Sequence, residues 1–125
     1  MENDARPPVA IGHVSLRVTD VPQASAYFVN LGMRLIHQTP TFCVLELRGG
    51  THLVLRVAED PIPSRTKAPF DLMVDDVLAT RRQYDVAGFQ PSEIETGTVH
   101  RWFTVLGPDE YEITITSSHA GKRAV

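Results

Sequence analysis

Leu16-Arg17-Val18-Thr19-Asp20-Val21 and Leu72-Met73-Val74-Asp75-Asp76-Val77 are two readings of one pattern, and their spacing decides the fold. Shifting residues 14–33 by 56 positions pairs Leu16 with Leu72, Val18 with Val74, Asp20 with Asp76, Val21 with Val77 and Gly32 with Gly88. Those are five identities in 20 gapless positions. Average composition gives roughly one by chance. Phe28 on Tyr84 and Met33 on Phe89 add conservative pairs, and a shift of 60 places Leu53 on Ile113 and Leu55 on Ile115. An internal repeat of this kind means two copies of one supersecondary unit.

Working outward, Val14, Leu16 and Val18 alternate with His13, Ser15 and Arg17, the period of a half-buried strand. Asp20 with Gln23 three residues on and Pro22 in the first turn starts a helix, which Gly32 ends. Strands are expected at Met33–Gln38, Phe42–Leu47 and Thr51–Val57, the last two joined through Gly49-Gly50. After residues 58–68, read as a linker, the order returns. A strand at Phe70–Val74 leads to a helix from Val77 to Ala87 capped by Asp76 and closed by Gly88. Strands at Phe89–Pro91, Val99–Leu106 and Tyr111–Thr116 complete the second copy. The reading is a single domain over 1–125: module one at 10–57, module two at 69–117, and loose tails at 1–9 and 118–125.

The chain has 125 residues, 42% hydrophobic and 22% charged, with a net charge of −3. Surface scaling predicts roughly 6,700 Å² exposed when folded, enough burial for a core without disulfide or metal support. Lys and Arg form no basic face, so nucleic acid is not an expected partner. No apolar run nears the roughly 18 residues of a membrane span, and the acidic, proline-rich start lacks the shape of a signal peptide. The expected location is the cytoplasm. The single cysteine, Cys43, excludes an internal disulfide and a Cys-based zinc site, and reads as a small buried hydrophobe.

"GHVSLRVTD" opening a strand, a capped helix ending "LGM", "FDLMVDDV" restarting the pattern and "GPDEYEITI" near the end together resemble the vicinal oxygen chelate superfamily. That group spans glyoxalase, bleomycin-resistance and extradiol-dioxygenase-like proteins, and the resemblance covers residues 10–117. It implies an α+β fold of two tandem βαβββ modules with pseudo-twofold symmetry, curled sheets enclosing a cavity and helices outside. It also implies four metal ligands on the concave face, usually His or Gln, Glu, His and Glu. Carried over, those positions fall on His13, Val54, Pro69 and Thr114. Only His13 is a conventional ligand, because valine and proline side chains cannot ligate and a threonine hydroxyl is a poor donor to a divalent ion.

Alternation places His13, Ser15, Arg17, His52, Asp71, His100, Trp102 and Glu112 on the concave face, and these are the candidate ligand-binding residues. His13 suits proton transfer or hydrogen bonding. Arg17 suits a bidentate clamp on a carboxylate or phosphate, or else an ion pair with Glu112 or Asp71. Trp102 suits stacking on a flat ligand, or else a core or dimer anchor. The leading expectation is a binder of a small organic molecule that needs no cofactor, assembled as a homodimer because curled sheets leave edge strands open. The alternatives are two. One is a divergent lyase, isomerase or dioxygenase-like enzyme using His/Glu acid–base chemistry or a divalent metal displaced to His52, Asp71 and Glu112. The other is a dimerisation module without ligand.

Overall fold

The computed structural model describes residues 5–118, 123 and 125; the outer parts of the two tails, 1–4 with 119–122 and 124, lie outside the described residues. Strand β1 (His13–Val18) leads into helix α1 (Val21–Leu31), then strands β2 (Arg34–Gln38), β3 (Phe42–Glu46) and β4 (His52–Val57). The second copy runs β5 (Leu72–Val74), α2 (Val77–Val86), β6 (Glu95–Thr96), β7 (Arg101–Leu106) and β8 (Glu112–Ser117). Two four-stranded sheets result, ordered β1-β4-β3-β2 and β5-β8-β7-β6.

The repeat is exact in register. β1 pairs with β4 in parallel, Leu16 opposite Leu55, and β5 pairs with β8 in parallel, Leu72 opposite Ile115. Those are the residues that the shifts of 56 and 60 equate. Both helices start the same way: the Asp20 carboxylate accepts from the Gln23 N–H, and the Asp76 carboxylate from the Ala79 N–H, each at 3.0 Å. A cap of this kind typically contributes about 1 kcal/mol. Both end the same way. Gly32 at φ +126° and Gly88 at φ +90° take a left-handed turn, and Met33 and Phe89 donate back to the carbonyls of Phe28 and Tyr84.

The core lies between the helices and one face of each sheet. Leu16, Val18, Cys43, Leu45, Leu53 and Leu55 meet Val21, Ala24, Phe28 and Leu31 of α1 in module one. Phe103, Val105, Ile113 and Ile115 form the counterpart in module two. Cys43 is fully buried, its Sγ 3.4 Å from the buried Ser25 hydroxyl. The second helix covers its sheet less well: α1 buries five residues, α2 only Val77.

Three expectations change. Phe89–Pro91 is not a strand; the partner of β7 is the short β6 at Glu95–Thr96. Phe89 is instead drawn into an aromatic cluster, its ring 5.3 Å from those of both Tyr27 and Tyr84, and Pro91 has no N–H to offer a ladder. β5 begins at Leu72 rather than Phe70, because Lys67 pairs with Glu112 while Leu72 pairs with Ile115. Five steps along one strand thus face three along the other, a bulge that lifts residues 68–71 out of register. Finally, the curled sheets are separate and do not close on each other to enclose a cavity. Residues 58–68 are tied down rather than free: Ile62 and Ala68 pack on the core, and the Arg65 N–H donates to the Glu110 carbonyl.

Tyrosine hydroxyls staple the modules. Tyr84 donates to the Leu31 carbonyl and Tyr111 to the Arg17 carbonyl, each at 2.8 Å. Asp109 accepts from both the backbone N–H and the hydroxyl of Thr19, at 2.9 and 2.6 Å. Burial raises the pKa of Tyr84 above its ordinary 10.0. Burial, then the charge of Asp109, does the same to Tyr111. A group with a raised folded-state pKa contributes stability that is complete below its unfolded value and lost as pH rises through the folded one. The fold should therefore hold constant stability from these staples up to about pH 10 and lose it above. Chemical denaturation at stepped alkaline pH should show the loss, and Tyr84→Phe with Tyr111→Phe should be less stable at neutral pH with a flatter alkaline limb.

Candidate functional site

The face of sheet one away from α1 is ordered in rows by strand register. The first row holds His13, His52, Glu46 and Arg34; the second holds Ser15, Val54, Val44 and His37; the third holds Arg17, Arg56 and Phe42. The alternate residues on these strands are the buried ones, so the rows are what the strands offer to solvent or a ligand.

In the first row, Glu46 is held by Arg34 at 2.9 Å and lies 3.7 Å from the His52 Nε2. In the third, the Arg56 guanidinium carbon sits 5.0 Å from the centre of the Phe42 ring. Arg17 is its cross-strand neighbour, and its Nη1 donates to the Val57 carbonyl at 3.1 Å. Among the described residues neither Glu112 nor Asp71 pairs with Arg17, so the expected ion pair is not formed. Arg17 also borders a cleft of about 260 Å³ with Glu59, Asp60 and Ile62.

Sheet two repeats the arrangement with different chemistry. Thr114 lies opposite Thr104, and Trp102 lies between Thr116 and Glu95. Phe103 and Val105 on the same strand are buried, which turns Trp102 to the concave side as the alternation requires. Its ring lies 5.2 Å from that of His100, and a Cβ on Gly97 would sit 3.0 Å from the indole. Glu112 lies opposite Leu106, and Asp71 precedes β5 on the bulge.

The candidate residues therefore fall into two sets. His13, Ser15, Arg17 and His52 share sheet one; His100, Trp102, Glu112 and Asp71 belong to module two. The trio His52, Asp71 and Glu112 is split between modules and is not brought together. The described residues contain no group of three or more His, Cys, Asp or Glu that could hold a metal. Sequence reasoning missed Arg34, His37 and Arg56. Arg56 was within reach, two steps beyond Val54 on the same strand. Arg34 and His37 were not, because a bulge between Leu35 and His37 breaks the alternation of β2.

A family model, Glyoxalase/Bleomycin resistance protein/Dioxygenase superfamily, matches residues 10–121. The chain belongs to this superfamily. Its fold is similar to that of a lactoylglutathione lyase from Agrobacterium tumefaciens: TM-score 0.74 at 16% identity, over 91% of this chain and 97% of that one. It is likewise similar to an oxidase, ChaP-H2, with TM-score 0.70 at 15% identity over 90% and 95%. A glyoxalase/bleomycin resistance protein/dioxygenase from Alicyclobacillus acidocaldarius gives TM-score 0.67 at 18% identity over 90% and 93%. No curated protein matches the chain. No helix among the described residues is long and apolar enough to cross a membrane.

Superfamily members often use a metal, and the donor set here does not fit the usual one. Val54 stands between Ser15 and Val44 with no donor atom in its side chain. Thr114 offers a hydroxyl beside another threonine. Pro69 sits on the bulge between Lys67 and Leu72, displaced from the place opposite Glu112 that His13 holds opposite His52 in the first copy. His13 remains as a single imidazole.

The placement of Trp102 is open to a direct check, because it is the only tryptophan. A methyl added at Gly97 meets the indole at 3.0 Å. Gly97→Ala should shift the emission maximum while leaving the far-ultraviolet circular dichroism unchanged. An unchanged emission would mean that the indole does not lie on the β6–β7 turn.

Proposed function

We propose that the chain is a metal-independent binder of a small organic molecule carrying an anionic group, held on the concave sheet faces. The observation that carries this is the third row of sheet one. Two arginines, Arg17 and Arg56, are cross-strand neighbours, with the Arg56 guanidinium over the Phe42 ring. The equivalent row of sheet two carries Trp102. A guanidinium grips a carboxylate or phosphate through parallel N–H bonds, and an aromatic face takes up the flat body of such a ligand. The fold family supports ligand binding on this face, and the side chains at its usual metal positions do not favour a metal there.

A homodimer is part of the proposal. Open sheet faces and free edge strands invite pairing, and a second copy covers both. A second reading, a lyase or dioxygenase-like enzyme, draws its support from the His52–Glu46 contact at 3.7 Å, which could serve acid–base chemistry.

The test is a titration of chelator-treated protein with flat aromatic carboxylates and their neutral amides, followed by Trp102 fluorescence and calorimetry together. The carboxylates should bind and quench the indole. Arg17→Ala should weaken binding by about 1.5–3 kcal/mol, the range for a hydrogen bond to a charged group. Arg17→Lys should restore only part of it, since an ammonium lacks the planar fork. The same samples should sediment at twice 13.9 kDa. Equal binding of carboxylates and amides, or binding that needs an added metal, would contradict the proposal.

A further inference from the structure

Arg17 stands near the end of β1, and the chain that leaves β4 passes beside it. Together they bound a cleft of about 260 Å³, lined by Arg17, Ala58, Glu59, Asp60 and Ile62. That is below the roughly 300–1,000 Å³ of pockets that take a whole drug-sized molecule, and it suits the head group of a ligand.

Its walls are held in place. The Arg17 carbonyl accepts from the Tyr111 hydroxyl at 2.8 Å, and the Arg17 Nη1 donates to the Val57 carbonyl at 3.1 Å. The Ala58 N–H donates to the Val18 carbonyl at 2.8 Å, which anchors the start of the facing wall. Ile62 packs on the core at its other end. Between them the sequence reads Asp60-Pro61-Ile62-Pro63. Proline locks its own φ, and a residue before proline is confined to extended backbone, so Asp60 and Ile62 both have little freedom. A wall already ordered before binding takes less from the affinity of its ligand.

The charges of the cleft are of both signs and do not cancel one another. One guanidinium and two carboxylates border it. Yet among the described residues neither Glu59 nor Asp60 makes an ion pair or a hydrogen bond, and the side chain of Arg17 donates only to a backbone carbonyl. A guanidinium carries several N–H donors, so most of those on Arg17 remain for a ligand. A simple anion would meet Arg17 beside two like charges. A simple cation would meet the carboxylates beside a guanidinium. A molecule with both signs on neighbouring atoms gains from each side.

We propose that this cleft takes the head group of an α-amino acid. Arg17 grips the α-carboxylate through its N–H fork, Glu59 and Asp60 accept from the α-ammonium, and the apolar side chain lies against Ile62. The inference rests on the reading of Arg17 as the clamp for the ligand's anionic group, and it narrows that ligand to a zwitterion.

The probes share one aromatic body. Phenylalanine carries both charges, 3-phenylpropanoate lacks the ammonium, and phenethylamine lacks the carboxylate. Each is titrated into the full chain at pH 7, followed by calorimetry and by the amide resonances of Ala58 and Ile62. Phenylalanine should bind about fivefold more tightly than 3-phenylpropanoate, the worth of one well-placed exposed ion pair, and more tightly than phenethylamine. In the double variant Glu59→Gln, Asp60→Asn the advantage of phenylalanine should vanish, while 3-phenylpropanoate binds no less tightly than to the native chain. A damaged fold would weaken both, so the contrast reports the two carboxylates. Equal binding of phenylalanine and 3-phenylpropanoate by the native chain would overturn the amino-acid head group and leave Arg17 as an anion clamp. An advantage that survives the double substitution would do the same. Failure of every carboxylate to bind would overturn both readings.

Discussion

The parallel pairing of the first and last strand of each module is the constraint on which everything else rests. Side chains alternate across a strand, so a slip of one residue would turn Leu16, Val18, Leu53 and Leu55 to solvent and the polar rows into the core. The register Leu16–Leu55 and its copy Leu72–Ile115 is opposed to that one-residue slip, because it lets both strands present apolar residues to the helix at once. Once it is set, the rows His13–His52, Ser15–Val54 and Arg17–Arg56 follow, and with them the chemistry of the concave face.

The two copies have diverged unequally. Module one keeps a well-covered sheet under α1. In module two the helix is half polar and buries a single residue, β6 is reduced to two residues, and a bulge precedes the first strand. The donor pattern diverges in step: the first copy keeps His13 but places Val54 in its sheet, while the second has Pro69 at its bulge and Thr114 in its sheet. Family membership and the loss of the usual donor set are compatible, since a fold specifies where a site sits and not which groups fill it.

Much of this was legible in the residues. The repeat gave the modules, the Asp caps and glycine stops gave both helices, and alternation gave the faces of β1, β4, β7 and β8, including the inward turn of Trp102. What stayed hidden was where local order gives way to tertiary contacts. Phe89–Pro91 has the residues of a strand, yet Phe89 is claimed by Tyr27 and Tyr84 across the module boundary, which no local pattern encodes. The bulge between Leu35 and His37 shifts parity, and the one at residues 68–71 inserts two residues, neither with a glycine to mark it. The separation of the two concave faces is likewise a matter of module packing, so alternation could gather His52, Asp71 and Glu112 on one kind of face but not in one place.

The central claim is that this chain holds the superfamily's fold with side chains at the usual metal positions that cannot make its metal site. The most direct measurement is calorimetric titration of Ni²⁺ and Zn²⁺ into the native chain and into a variant carrying Val54→Glu, Pro69→His and Thr114→Glu. The native chain should take up no stoichiometric metal, and the variant should bind more tightly than the native chain. One equivalent bound tightly by the native chain and lost in His13→Ala would contradict the account.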